Sequence, residues 1–242
     1  MRLRGLAMGL GIIASWVGTS LALADPPPAK SIIQTTASST PAKSIKPLIA
    51  INLEAVEPRA RDSVAKIMRQ PTIVARGGPE EFAEGIYRWL LDHPDRASLA
   101  WRRLGIPCAQ INCVGPDRFG WTDGQGTDVT WRTVLNTDAQ RVWYAEGHAR
   151  ISPMTPAIPV RAVVVVNHPT QAGRDGRRIV AQETDVYLQT DSKAAAIVAR
   201  ALGPTMPRLA EQGASQLLLF FSGLTRYFDR HPEDIGALLA AE

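Results

Sequence analysis

The 242-residue chain is 45% apolar, enough for a real core, and its length suits one large domain better than two small ones. Its formal charge of +4 does not mark a nucleic-acid binder, because Arg2 and Arg4 lie in a segment expected to be removed and the remaining surplus sits in residues 25–70. Beyond residue 70 the charges balance at 18 basic against 19 acidic, so the basic face that nucleic-acid binding needs is missing.

Residues 1–24 read as a secretory signal peptide: Arg2 and Arg4 come first, then an apolar stretch from Gly5 to Leu23, then Ala22-Leu23-Ala24 before Asp25. Cleavage after Ala24 is the expectation, giving a periplasmic or secreted protein with no stable membrane span. An uncleaved anchor is the alternative, since a stretch of that length just spans a bilayer. Gly9, Gly11, Ser15, Gly18, Thr19 and Ser20 dilute that span. No cysteine stands at the cleavage point for a lipid anchor, and no twin-arginine pair is present.

Residues 25–50 read as a linker. Asp25 to Pro47 is rich in Pro, Ser, Thr, Ala and Lys and short of core-forming residues, a composition that stays disordered. The folded region, residues 51–242, is expected to be a single α+β domain.

A first helix is expected over Glu57–Arg69, with Val64, Ile67 and Met68 on one face and Pro71 as its stop. Gly77-Gly78-Pro79 reads as a turn leading into a second helix, with Glu80 and Glu81 in the first turn and an apolar stripe of Phe82, Ile86, Trp89 and Leu90. His93-Pro94 ends it. A third helix runs from Asp95 to Leu104, with Gly105 as its C-terminal stop.

After Pro107 the period becomes alternating. Strands are expected near 116–122, 128–135, 140–151, 159–168 and 177–189, separated by Asp123-Gly124-Gln125-Gly126, Asn136-Thr137-Asp138, a proline loop from Ser152 to Pro159, and Gly173-Arg174-Asp175-Gly176. Short loops imply an antiparallel meander of about five strands. In 140–151 one face carries Trp143, Ala145, Gly147, Ala149 and Ile151, small enough to admit a helix closely; the other carries Val142, Tyr144, Glu146 and His148. Val163 to Val166 place apolar groups on both faces, as in a central strand covered on both sides, with the N-terminal helices as the second layer. Asp191 then caps a helix from Ser192 to Leu202.

Met206–Arg230 is the longest helix. Leu209, Gly213, Leu217, Phe220, Phe221, Leu224 and Phe228 recur at three- and four-residue steps, and Leu217 to Phe221 is apolar all round. Its ~37 Å length matches the ~40 Å of the 140–151 strand, so the sheet is expected to cover it. A long C-terminal helix packed on such a sheet is similar in outline to helix-grip domains. That resemblance covers no motif; what it implies is an apolar ligand held between sheet and helix.

Cys108 and Cys113 are the only cysteines, and an exported chain meets an oxidising compartment. Five residues apart in a straight strand they would sit ~16 Å from each other, so the expected disulfide requires a turn at Ala109 to Asn112. Zinc is not expected from a C-x4-C pair with no further Cys or paired His nearby. His148 shares a strand face with Glu146, and Glu183 shares one with Asp185. A carboxylate beside an imidazole is the minimum for general acid–base work, and it is also an ordinary solvent face of a sheet. No G-x-S-x-G, H-E-x-x-H, P-loop or dinucleotide fingerprint is present, and no metal or cofactor is called for. Trp121, Trp131, Trp143, Tyr144 and Tyr187 concentrate aromatics in the sheet, for the core or, if exposed, for stacking on sugars.

Three functional readings follow. The first is an exported, non-enzymatic domain with Trp143, Val164, Leu217, Phe220 and Phe221 lining a space for an apolar small molecule or lipid. The second is a hydrolase-like enzyme using His148 with Glu146 or Glu183. The third is a purely structural envelope protein.

Overall fold

The computed structural model describes residues 48–150, 156–191, 193 and 206–240, and of residues 206–209 the backbone only. The expected signal peptide, most of the expected linker and nearly all of the expected helix after Asp191 lie outside the described residues.

Among those described, eight strands form one antiparallel sheet. They are β1 Ile73–Ala83, β2 Ile111–Gly115, β3 Arg118–Thr122, β4 Asp128–Asn136, β5 Gln140–Ala149, β6 Ile158–Asn167, β7 Thr170–Ala172 and β8 Arg178–Gln189. The order is β1-β8-β6-β5-β4-β3-β2, with β7 beside β8. The α+β class is as read from the sequence, but eight strands replace about five. β7 is only three residues long, and β2 buries only Ile111, so neither shows alternation. β1 is a correction of a different kind, since its Gly77-Gly78-Pro79 does not turn into a helix. The register against β8 shifts between Gly77 and Glu80, so the three residues form a bulge, which an edge strand accommodates even with proline.

The helices are α1 Pro58–Arg69, α2 Tyr87–Asp92, α3 Pro94–Arg103, α4 Met206–Arg230 and α5 Ile235–Leu239, with 3-10 turns at Leu53–Ala55 and Pro232–Asp234. α1 buries Ala60, Val64 and Ile67 at helical spacing, and Lys66 and Arg69 complement its C-terminal dipole. The second helix begins only at Tyr87, so Phe82 belongs to β1 and Trp89 is 39% exposed, stacked on His93. Tyr87, Leu90 and Leu91 carry its buried side instead. No helix among the described residues is long and apolar enough to cross a membrane.

The sheet has two covered faces. On the back face, α1 and the turn before it pack on Val142, Tyr144, Val163, Val165 and Tyr187. On the other face lie α2, α3 and α4, where Trp143, Val166 and Val180 meet Phe220, Phe221, Leu224 and Phe228. Only α1 thus forms the second layer expected of all the N-terminal helices.

α4 makes its closest approach at β1 and not at the small residues of β5. A Cβ on Gly77 would lie 2.8 Å from the carbonyl carbon and oxygen of Ala214. Ala210 and Ala214 are fully buried there against Ala75 and Val186. A buried polar chain fixes the same helix further along. The Tyr87 hydroxyl donates to Gln182 Oε1 at 2.6 Å, Gln182 Nε2 donates to Glu80 Oε2 at 2.9 Å, and Ser222 Oγ donates to the same oxygen at 2.8 Å. Burial pushes the Tyr87 phenol up, so it stays a neutral donor.

Asp185 anchors the back face. Its carboxylate accepts Arg76 Nε at 2.6 Å, Arg76 Nη2 at 2.9 Å and the Ile49 amide at 2.6 Å. The last residues assigned to the linker are therefore tied onto the sheet, and Ala50 O accepts from Gln140 Nε2.

The expected Cys108–Cys113 disulfide is absent: both thiols are free. Residues Ile111–Gly115 run straight as β2, so the required turn does not form, and Cys113 is exposed while Cys108 packs against the α3–α4 core.

Candidate functional site

Because α4 rides on β1 and β8, its separation from the middle of the sheet is filled by side chains, and not completely. A cavity of about 70 Å³ remains, or about 690 Å³ of free space counted out through its open mouth. The sheet supplies Trp121 from β3, Trp131 from β4, Trp143 and Ala145 from β5, and Val164 from β6. Leu217 and Phe221 close it from the helix, and Pro94 from the start of α3.

The alternation of β5 explains the shape. Trp143 and Ala145 point to the α4 side, and the small Ala145 leaves room beside the large indole. Ala162 on β6, opposite Ala145 in the register, widens the same spot. Trp143 stacks on Phe221 with ring centroids 5.7 Å apart. No lining side chain is charged, and none carries a hydroxyl or amide; indole N–H groups are their only polar atoms. Trp143 is 4% exposed, and its Nε1 is buried with no hydrogen-bond partner among the described residues.

Of the five residues expected to line a ligand space, Trp143, Val164, Leu217 and Phe221 line this cavity. Phe220 does not line it: this ring packs edge-on against Phe221, and its carbonyl accepts the Trp101 indole N–H at 2.9 Å. Sequence reasoning did not assign Trp121, Trp131, Ala162, Val186 and Leu188 to this space. Their signal was available in the alternation of their strands, once the α4 side of each strand is known.

The acid–base candidates lie on the opposite face. Glu146 and His148 are both exposed and share an open groove of about 640 Å³ with Lys66, Arg161 and Asp191. Glu146 Oε2 accepts the Tyr144 hydroxyl at 2.9 Å. Glu183 is not part of that group. It pairs with Asn167 at one end of β6, whereas His148 pairs with Pro159 at the other, a separation of ~26 Å along the strand. Asp185 is fully buried in its Arg76 ion pair.

His168 is buried outside both sites. Its two ring nitrogens have no hydrogen-bond partner among the described residues, and its ring meets that of Tyr87 at 5.9 Å. Burial, and then the charge of Arg141, pushes the imidazole down from 6.5 to about 4. Arg141 is itself buried and pairs with Asp92 at 2.6 Å. Among the described residues, His231, Glu233 and Asp234 bring ligand-type atoms within 4.8 Å of one another. They sit at the surface after α4, and Asp234 already accepts the Tyr227 hydroxyl at 2.5 Å.

No family model matches the chain, and no curated protein matches it. Among solved structures, it is similar to a conserved protein from Geobacillus kaustophilus (TM-score 0.40, 14% identity, covering 65% of this chain and 96% of that one). A hypothetical protein from Helicobacter pylori is similar over 77% of this chain and 99% of its own, at TM-score 0.37 and 12% identity. A di-domain ARO/CYC protein of the BE-7585A biosynthetic pathway is similar at TM-score 0.33 and 16% identity, over 69% of this chain and 52% of that chain.

Proposed function

We propose that this is an exported, non-enzymatic binding protein that holds an apolar small molecule or the apolar part of a lipid between the middle of its sheet and α4. The observation that carries this reading is the cavity wall: every side chain around it is apolar or aromatic, and the space opens to a mouth. A well-packed core interdigitates with few voids larger than a water molecule, and an apolar hole in it stays dry and takes apolar guests. Export rests on the N-terminal segment, Arg2 to Ala24.

Native mass spectrometry of the protein purified from its own host tests the reading. The expected result is a retained adduct of small-molecule or lipid mass that is released on unfolding. Uniformly bare protein that also takes up no added apolar compound would count against it.

A second reading, acid–base catalysis on the back face, has the shared groove of Glu146 and His148 in its favour. Against it, Glu146 is already engaged by Tyr144, and the sequence holds no G-x-S-x-G elbow for a nucleophile. His148→Ala with every measured turnover intact disposes of it.

A further inference from the structure

We infer that Ala145 and Ala162 select the guest of this cavity by size: the guest puts an alkyl end, narrower than a ring, over these two residues and keeps the rest of itself, including any polar group, in the mouth. The inference rests on the reading of the cavity as a ligand site. Its own support is a separate observation, a step in the sheet beneath α4.

The register sets Trp131, Ala145, Ala162 and Leu188 side by side across β4, β5, β6 and β8, and all four line the cavity. One row along, Trp143, Val164 and Val186 line it as well. The two alanines are the smallest side chains in the wall. They stand opposite each other on neighbouring strands, with Cβ atoms ~5 Å apart, between a tryptophan and a leucine. The floor therefore drops furthest there, and Leu217 and Phe221 roof the space from α4. Both alanines keep some accessible surface, 9% and 4%.

Size then decides what enters. An apolar hole of about 150 Å³ takes a benzene ring, and the enclosed space here, about 70 Å³, is less than half of that. It excludes a whole ring and admits a straight alkyl end or a small branched one such as an isopropenyl group. The wall also excludes charge. A carboxylate or ammonium inside would meet no counter-ion, and burying an isolated ion costs far more than the alkyl part gains, so a polar head stays outside.

1-Heptanol and cyclohexylmethanol test this directly. They carry the same number of carbons and one hydroxyl each, and they differ in the width of the apolar end. Both are titrated by calorimetry into the full chain, into Ala145→Val and Ala162→Val, which fill the step, and into Ala162→Gly, which deepens it. The unmodified protein is expected to bind 1-heptanol the more tightly. Each valine is expected to weaken 1-heptanol about fifteen-fold, the value of about two methylenes no longer buried, and the glycine to move the preference towards cyclohexylmethanol. Each valine variant keeps or raises the urea midpoint, because its methyls enter empty space. A lowered midpoint, the mark of overpacking, shows that no hollow lies over the alanines and overturns the inference. Binding of 1-heptanol that none of the variants changes also overturns it and leaves the apolar site standing. Failure of both alcohols to bind the unmodified protein overturns the site itself.

Discussion

The indole of Trp143 lies over the ring of Phe221, centroids 5.7 Å apart and planes inclined by 29°, and this contact joins the middle of the sheet to α4. At the other side of the helix the junction is backbone on backbone, Gly77 against Ala214. The helix is thus close to the sheet at its β1 edge and held off by aromatic rings over β5. The cavity follows from that difference in spacing.

Gly77→Ala tests the close side. The added Cβ would come within 2.8 Å of the Ala214 backbone, where no flexible side chain can give way. The variant is expected to lose about 1–3 kcal/mol, as overpacked cores do, measured by urea denaturation. Gly236→Ala, in the open space of α5, is the control and is expected to be neutral or to gain up to about 1 kcal/mol. Similar behaviour of the two variants would contradict the close approach.

Asp185→Ala removes the acceptor for both Arg76 nitrogens and for the Ile49 amide. Asp185 is fully buried and the Arg76 side chain only 23% exposed, so breaking the pair is expected to cost about 3–5 kcal/mol. Chemical denaturation at pH 7 measures it. A loss below about 1 kcal/mol, the value of a surface pair, would show that the ion pair is not buried as described.

His168 predicts a pH dependence with a definite sign. In the unfolded chain its imidazole takes a proton near 6.5, and in the folded protein only near 4. Between those values the unfolded state binds more protons, so the stability from burying the neutral ring is fully present above 6.5 and is lost as pH falls towards 4. The loss is on the order of 3 kcal/mol. Arg141, Arg88 and Asp138 are the charges that act on the ring. Urea midpoints of the wild type and of His168→Phe, compared from pH 7 to 4.5, isolate the effect. Equal slopes would contradict it.

The cysteines are expected to behave as two unlike thiols. Cys113 is exposed and should react with a maleimide first. Cys108 is half-buried, its thiol pushed up to about 11 by burial, and should react slowly until the protein unfolds. Mass spectrometry follows the two additions. A purified protein that takes no label and lacks both thiol hydrogens would restore the disulfide.

Much of this arrangement was legible in the chain itself. The long strands β4, β5, β6 and β8 announce themselves by alternation between turn residues, and α4 by its apolar period. Trp143, Val164, Leu217 and Phe221 were legible as cavity residues because the α4 side of β5 and β6 and the inner side of the helix follow from those periods. β1 was not. Local chemistry at Gly77-Gly78-Pro79 favours a turn, and only pairing with β8, about a hundred residues later, makes it a strand. The position of α4 failed for the same reason: small residues on β5 invite a helix as readily as those on β1, and the choice is made by long-range contacts such as Ser222 to Glu80. Phe220 was misplaced by one helical step, since a residue directly beside the cavity residue Phe221 points about 100° away from it around the helix.

The central claim, that an apolar guest sits between β5 and α4, is tested most directly by locating a bound compound. Methyl-detected NMR of the full chain during titration with α-methylstyrene does this. The account predicts that the methyls of Ala145, Ala162, Val164 and Leu217 shift together and saturably, while those of Val64 on α1 and Val56 just before it, on the back face, stay in place. Shifts confined to the back face, or no saturable shift at any of the four, would contradict it.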